Sequence, residues 1–217
     1  KEYFRAIREI RPKAFVMENV SMLSSQTHRF YDSTRDHNDV KKLGVQMRED
    51  ELVLSDSIYD GYDLFEIIEN DRVSDYRISD ELFQLLNVLY KNRNNEHRLE
   101  RYVNKKSNLI LKNIILQKEI VQNNFAFLQR LVDWIEAGTI QECFEELGLF
   151  IKFQKTFRLK DELDSNEIIY NMEYDQTTGK ITAKVKSYSV IEYVNKILGD
   201  DYKKNNGVIN SLWFGVP

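Results

Sequence analysis

The spacing of apolar residues changes along the chain, and each spacing predicts a different element. Apolar positions recur at helical intervals in residues 2–10. This helix is expected to end before Pro12, because the residue that precedes a proline avoids the α region. Residues 14–17 (Ala-Phe-Val-Met) then form a continuous apolar run. Such a run is typical of a strand buried on both faces of a parallel sheet, so the first segment is predicted to be an α/β half-unit.

Helical spacing dominates the middle of the chain. Ser79 precedes a predicted helix whose apolar stripe consists of Leu82, Leu85, Leu86 and Leu89. A longer apolar pattern begins near residue 99 and continues to Gly138, which predicts a single helix of more than about thirty residues closed by glycine. By contrast, residues 32–39 are polar and are predicted to form a loop.

The carboxyl-terminal third alternates between helical and strand patterns. The segment Thr139-Ile-Gln-Glu matches a capping box and predicts a short helix that ends before Gly148. Residues 168–174 and 181–186 flank a polar turn with one glycine and predict a β-hairpin. Helical spacing then returns in residues 188–198. The predicted fold class is therefore α+β and mainly helical.

Composition supports long elements and a reducing compartment. The 217 residues include only 2 prolines and 8 glycines, and these residue types punctuate chains into turns. The single cysteine, Cys143, cannot form an internal disulfide, and His28, His37 and His97 show no ligand spacing, so we predict no metal site. No apolar run is long enough to span a membrane, and we expect a cytoplasmic protein that contacts no membrane.

Charge is distributed unevenly. Residues 49–81 carry twelve acidic side chains against two arginines, whereas residues 91–118 carry eight basic side chains against two glutamates. One interpretation is that the two stretches are solvated helix faces that pair with each other. The other is that the basic stretch contacts nucleic acid. The candidate DNA-contacting residues are Arg93, Arg98, Arg101, Lys105 and Lys106.

One carboxylate has a position that favours chemistry. Glu18 follows the predicted strand at its carboxyl end, where open α/β sheets bind their ligands. On position alone, Glu18 could equally be a capping or loop acid. The sequence around it, from Arg5 to Val20, resembles the motif of DNA (cytosine-5) methyltransferases in which a helix and a Pro-Lys pair lead into a strand ending Glu-Asn-Val.

The other end of the chain resembles the same family. Residues 208–211 (Val-Ile-Asn-Ser) and 214–217 (Phe-Gly-Val-Pro) are similar to a strand and a turn that the family places before a Gln-x-Arg-x-Arg motif. Met22 and Trp213 depart from the family pattern and affect the expected loop shape. The resemblance implies three parts. Residues 1–30 and 187–217 are expected to be segments of a Rossmann-like methyltransferase sheet, and residues 31–186 to be a helical insertion with a β-hairpin.

The resemblance also implies a reaction for the parent enzyme, as in DNA methylation and restriction–modification. A methyl group moves from S-adenosylmethionine to C5 of a cytosine flipped out of double-stranded DNA. Glu18 would act on cytosine N3 as the catalytic residue, with Asn19 orienting the carboxyl group and Val20 packing beneath it. The family's Pro-Cys nucleophile and glycine-rich cofactor loop are absent from these 217 residues. We therefore expect this fragment alone to bind no cofactor and to be inactive, and its incomplete sheet edges to favour self-association.

Two alternatives remain at this stage. The chain could be a helical module that binds protein or DNA without catalysis, or another Rossmann-like enzyme with an acid at a strand end. The flanking coding sequence would discriminate between them. The methyltransferase interpretation predicts a Pro-Cys pair before Lys1 and Gln-x-Arg-x-Arg after Pro217.

Overall fold

The computed structural model describes residues 2–12, 29–59, 63–117, 123 and 125–198. The described helices are α1 (Glu2–Ile10), α2 (His37–Lys42), α3 (Leu64–Glu69), α4 (Val73–Tyr76), α5 (Asp80–Lys91), α6 (Glu96–Leu116), α7 (Phe125–Ala137), α8 (Phe144–Ser165) and α9 (Val190–Leu198), with a 3₁₀ turn at Ile140–Cys143. The strands are β1 (Arg29–Tyr31), β2 (Met47–Ser55), β3 (Tyr170–Asp175) and β4 (Lys180–Ser189). The predicted mainly helical α+β class is confirmed.

The chain divides into two compact units. Unit 1 consists of residues 1–52, 164–171 and 183–217, and unit 2 consists of residues 53–163 and 172–182. The strands β2, β3 and β4 each have residues in both units. Described residues from both ends of the chain thus belong to unit 1, although the boundaries at residues 30 and 187 stay predictions.

Unit 1 brings the two ends of the described chain together. Helix α1 packs against α9, and the buried residue Ile7 shares a core with Tyr193 and Ile197. Strand β1 pairs with β4 in antiparallel register, with Phe30 opposite Tyr188. The predicted parallel strand at residues 14–17 lies outside the described residues. The family-like strand and turn at residues 208–217 lie outside them as well. The Rossmann-like part of the fold therefore stays a prediction.

Unit 2 is built on helices α5 to α8. Their apolar faces meet in one core, in which Leu86, Leu128 and Leu147 are completely buried. Helix α5 starts at the predicted place, because the Ser79 hydroxyl accepts a hydrogen bond from the Leu82 amide at 3.2 Å. The predicted stripe of leucines on α5 is confirmed as a buried face.

The predicted helix of more than thirty residues is wrong. Helix α6 ends at Leu116, and Gln117 has non-helical backbone angles (φ −107°, ψ 25°). The Gln117 side chain accepts a hydrogen bond from the Ser79 amide at 2.8 Å and donates one to the Ser79 hydroxyl at 2.7 Å. Helix α7 begins at Phe125 and ends, as predicted, before Gly138, which has a positive φ of 74°.

The short helix predicted to stop before Gly148 is also wrong. The capping residue Thr139 makes no side-chain cap, and helix α8 runs through Gly148 to Ser165. The glycine is needed for packing rather than for termination, since a Cβ atom there would lie 2.8 Å from the Tyr90 hydroxyl. A close approach between helices therefore explains a residue that normally marks a helix end.

The remaining boundaries differ in smaller ways. The segment 32–39, predicted as a loop, contains the start of helix α2 at His37. The hairpin is confirmed as β3 and β4, and Gly179 adopts a positive φ of 69° in its turn. Residues 188 and 189 still belong to β4, so the following helix begins at Val190 rather than at Tyr188.

Candidate functional site

The residues that the sequence assigns to catalysis are not among those the structure describes. Glu18, Asn19 and Val20 all lie outside the described residues, and their roles stay predictions. The helix that precedes them is described. Arg11 leaves helix α1 with a positive φ of 50°, and its amide donates to the Ile7 carbonyl at 2.8 Å. Pro12 follows, so α1 ends where the sequence predicted.

The basic stretch forms one exposed face of helix α6. At about 100° per residue, Arg98, Arg101, Lys105 and Lys112 all lie within about 60° of one another around the helix axis. All four side chains are exposed. The opposite face is buried against α5 and α7 and includes Leu99, Ile110 and Ile114. We call the four cations the α6 basic face.

The other two candidate cations do not belong to this face. Arg93 precedes the helix, where its guanidinium lies 4.0 Å from the centre of the Tyr90 ring and donates to the Tyr90 carbonyl at 3.0 Å. Lys106 points about 140° away from Arg101 and is half-buried. Lys112 was missed as a candidate, although its spacing of seven residues from Lys105 places it on the same side of a helix.

Neutral polar side chains flank the α6 basic face, and the exposed residues Ile115 and Leu116 lie at its carboxyl-terminal end. Asn104 and Asn108 are exposed beside the cations, and so is His97, which precedes Arg98. Glu100 lies about 100° from Arg101 and borders an open groove of ≈ 440 Å³ that His97, Asn104 and Lys105 also line. The surface can therefore offer several hydrogen-bond donors to an anion.

The acidic stretch pairs with cations other than those of α6. Five examples are the contacts of Arg48 with Asp50, Arg72 with Asp75, Arg77 with Asp80, Lys152 with Asp56 and Arg158 with Asp80. Within the described ranges, no ion pair joins residues 49–81 to residues 91–117. The described ion pairs therefore do not support the interpretation in which the two charged stretches pair with each other.

Unit 1 contains a buried carboxylate that the sequence did not single out. Asp32 is 1% exposed, and its Oδ2 atom lies 2.7 Å from Nδ1 of His37, whose side chain is 40% exposed. The Asp32 backbone also links two neighbouring segments, since its amide donates to Lys186 and its carbonyl accepts from Ile169. This pair orients the first residue of α2. The spacing of five residues between Asp32 and His37 did not indicate this contact, because the contact depends on the turn at residues 33–36.

A second charged cluster in unit 1 joins three strands. Asp50 of β2 accepts from Arg48 at 2.9 Å and from the Ser187 hydroxyl of β4, and Arg29 of β1 donates to Ser187 at 2.6 Å. Burial alone would raise the pKa of Asp50, but the hydrogen bond from Ser187 and the charge of Arg48 together lower it. The Asp50 carboxylate therefore stays charged at neutral pH.

The one cysteine of this chain cannot take the place of the family's cysteine nucleophile. Cys143 is completely buried, and burial raises the pKa of its thiol to about 12. Since the thiolate is the reactive form, Cys143 is inert at neutral pH. The described residues also include no cluster of three or more His, Cys, Asp or Glu side chains that could hold a metal ion. Nor does any described helix combine the length and apolar character needed to cross a bilayer.

The described glycines do not form a cradle for S-adenosylmethionine. Gly44 and Gly138 follow helix ends, Gly148 packs against Tyr90, and Gly179 belongs to the hairpin turn. None of them links a strand to the start of a helix, which is where a cofactor loop of a Rossmann-like fold lies. The described residues therefore do not fit this cofactor.

Comparison with known protein families matches the amino-terminal segment of the chain. Residues 1–48 match the family model of C-5 cytosine-specific DNA methylase. The matched segment includes helix α1, the Glu-Asn-Val motif and the first residues of β2. No curated protein and no solved structure matches the chain significantly. The amino-terminal 48 residues thus match the family that the Glu-Asn-Val motif predicted, that of the C-5 cytosine-specific DNA methylases.

Proposed function

We propose that this chain is part of a DNA cytosine-5 methyltransferase, and that its amino-terminal segment carries the residue that activates the cytosine ring. The observation behind the proposal is the family match at residues 1–48, which contains Glu18. In the parent enzyme, S-adenosylmethionine supplies the methyl group that is transferred to C5 of a cytosine flipped out of DNA. Its binding is assigned to other parts of the parent, because the described residues do not fit it.

Glu18 has a defined task in this proposal. Cytosine resists addition of a nucleophile at C6 unless the negative charge that develops on the ring is neutralised. A carboxyl group that donates a proton or a strong hydrogen bond to N3 provides that neutralisation, and burial favours the protonated form of such a group. Asn19 orients the carboxyl group, and Val20 supports it from below. The packing of α1 against α9 supports this proposal, because it anchors the segment that leads into the motif.

The test is a substitution in the parent enzyme. Glu18→Gln removes the proton donor but keeps the size of the side chain, and we expect the rate of methyl transfer to duplex DNA to fall by about 10²-fold or more. Glu9→Gln serves as the matched control, since Glu9 is exposed on α1 and its substitution should leave the rate unchanged. A wild-type rate for Glu18→Gln, or no methyl transfer by the parent enzyme, would overturn the proposal.

A further inference from the structure

The α6 basic face differs from the other arginine sites of unit 2. Arg72, Arg77, Arg130 and Arg158 each lie within 4 Å of a carboxylate, and Arg93 is held by Tyr90. In the part of the chain that the structure describes, Arg98, Arg101, Lys105 and Lys112 have no ion-pair partner. Four like charges on one side of a single helix repel one another. An anion outside the chain would relieve that repulsion.

The dimensions of the face suit an extended polyanion. Arg98 and Lys112 are fourteen residues apart, so the face extends along the helix for about 21 Å. That length corresponds to about six base pairs of duplex DNA, in which each strand carries one phosphate per ~3.4 Å of axis. Lysine, arginine and asparagine side chains are the usual donors to phosphate oxygens, and Asn104 and Asn108 lie between the cations.

Two other polyanions fit the face less well. A membrane-surface helix inserts its apolar face into the lipid, but the apolar face of α6 is buried in the core of unit 2 with Leu99 and Ile110. Surfaces that bind single-stranded nucleic acid present aromatic side chains on which bases stack. Tyr102 is the one Phe, Tyr or Trp side chain of α6, and its hydroxyl donates to the Leu85 carbonyl at 2.9 Å.

We propose that the α6 basic face binds the phosphate backbone of duplex DNA, with Arg98, Arg101, Lys105 and Lys112 as its contacts. The inference rests on the proposed function, because it takes the DNA substrate of the methyltransferase as the partner. These contacts hold the enzyme on DNA without reading the base sequence, since phosphate contacts carry no sequence information. The insertion thereby adds phosphate contacts to the binding of DNA by the parent enzyme.

The test compares two variants that each remove four positive charges. The first replaces Arg98, Arg101, Lys105 and Lys112 by glutamine. The control replaces exposed cations on α1, α2 and α8 by glutamine, namely Arg8, Lys41, Lys42 and Lys155. Binding of the parent enzyme to a 20-base-pair duplex and to a single strand of the same sequence is measured by fluorescence anisotropy over a range of KCl concentrations. Circular dichroism verifies that both variants are folded.

We expect the wild-type protein to prefer the duplex. The slope of log K against log salt should become less steep by about 3 to 4 in the α6 variant, because each lost phosphate contact contributes roughly 0.9. The control should change the slope by less than about 1. The inference is overturned by an unchanged slope in the α6 variant, by an equal change in the control, or by tighter binding of the single strand.

Methyl transfer by the same wild-type preparation separates this inference from the proposed function. If the enzyme methylates DNA and the α6 variant keeps the wild-type slope, the surface assignment is wrong and the proposed function stands. If the enzyme transfers no methyl group but the slope falls in the α6 variant alone, the proposed function is wrong and the surface assignment stands.

Discussion

At the scale of single residues, the charged cluster around Asp50 shows how a polar side chain holds strands together. Asp50 is 24% exposed and is held by the Ser187 hydroxyl and by Arg48, with Arg29 at 3.7 Å. Its pKa is lowered, so the folded state binds protons less readily than the unfolded state does. The carboxylate therefore stabilises the fold while it is ionised.

Replacing Asp50 by asparagine should reveal this contribution and its pH dependence. We expect Asp50→Asn to lower the free energy of unfolding by about 1–2 kcal/mol at pH 7, because charge-assisted hydrogen bonds are lost. The stabilisation is fully present above the unfolded pKa of about 3.9 and is lost as the pH falls through the lower folded pKa. The wild-type protein and Asp50→Asn should therefore differ less in their free energy of unfolding below about pH 4, as measured by urea unfolding.

A matched control for this prediction is Glu136→Gln. Glu136 is exposed at the end of α7, and we expect its substitution to change stability by less than about 0.5 kcal/mol at either pH. If Asp50→Asn lowers the free energy of unfolding by the same amount at pH 3 and at pH 7, the assigned role of the carboxylate is contradicted.

At the scale of elements, helix α8 holds the segment that leads into α5. Gln154 is completely buried, its amide donates to the Tyr76 carbonyl at 2.9 Å, and its carbonyl accepts from the Ile78 amide at 3.0 Å. Arg158, one turn further along, donates to the Ile78 carbonyl at 2.9 Å and lies 3.8 Å from the centre of the Phe83 ring. Burial lowers the pKa of Arg158 to about 10, so it remains charged at neutral pH.

The side chain of Gln154 forms hydrogen bonds with two backbone groups, the Tyr76 carbonyl and the Ile78 amide. Gln154→Met keeps the volume but leaves both groups without their partner, and we expect the free energy of unfolding to fall by about 2–4 kcal/mol. The measurement is denaturant unfolding at neutral pH. Gln84→Met is the control, because Gln84 is exposed on α5 and should change stability by less than about 0.5 kcal/mol. Equal effects of the two substitutions would refute the role of Gln154.

Helix boundaries show what local patterns cannot specify. The apolar spacing continued from α6 into α7 because both helices bury their faces in the same core, with Ile110 on one and Leu128 on the other. The break at Gln117 depends on Ser79, which is 38 residues away in sequence. In the same way, Gly148 looks like a stop signal until Tyr90 is packed against it. Contacts of this kind have no local signature.

At the scale of the whole molecule, unit 1 brings together the first and the last described helices. Helices α1 and α9, at opposite ends of the described chain, pack together, and β1 pairs with the last residues of β4. In our proposal both ends belong to a catalytic domain whose nucleophile and cofactor loop are supplied elsewhere in the parent enzyme. Catalysis then requires the parent protein rather than these 217 residues.

This reasoning predicts that the purified 217-residue chain transfers no methyl group. Incubation with duplex DNA and radiolabelled S-adenosylmethionine should yield no incorporation above background, because neither a reactive thiol nor a cofactor cradle is present among the described residues. The parent enzyme, assayed in parallel, provides the positive control. Incorporation of label into cytosine by the chain alone would contradict the prediction.

The sequence by itself determined the type of most strongly patterned elements and the family resemblance of the amino-terminal segment. Apolar periodicity is a local property, so helix α1, the leucine stripe of α5 and the hairpin of β3 and β4 could be predicted from short segments. The Glu-Asn-Val motif is likewise local, and it identified the family that the match at residues 1–48 confirms.

Only the tertiary structure decided which charged residues have partners. Composition left open whether the acidic and basic stretches neutralise each other, because pairing depends on which helices and strands are neighbours. In the folded chain, carboxylates of residues 49–81 form ion pairs with cations such as Arg48, Arg77 and Lys152. The side of α6 that carries Arg98 and Lys112 is consequently left exposed and without ion pairs among the described residues. Charge counts are local, whereas the distance between two charges is set by the packing of the whole chain.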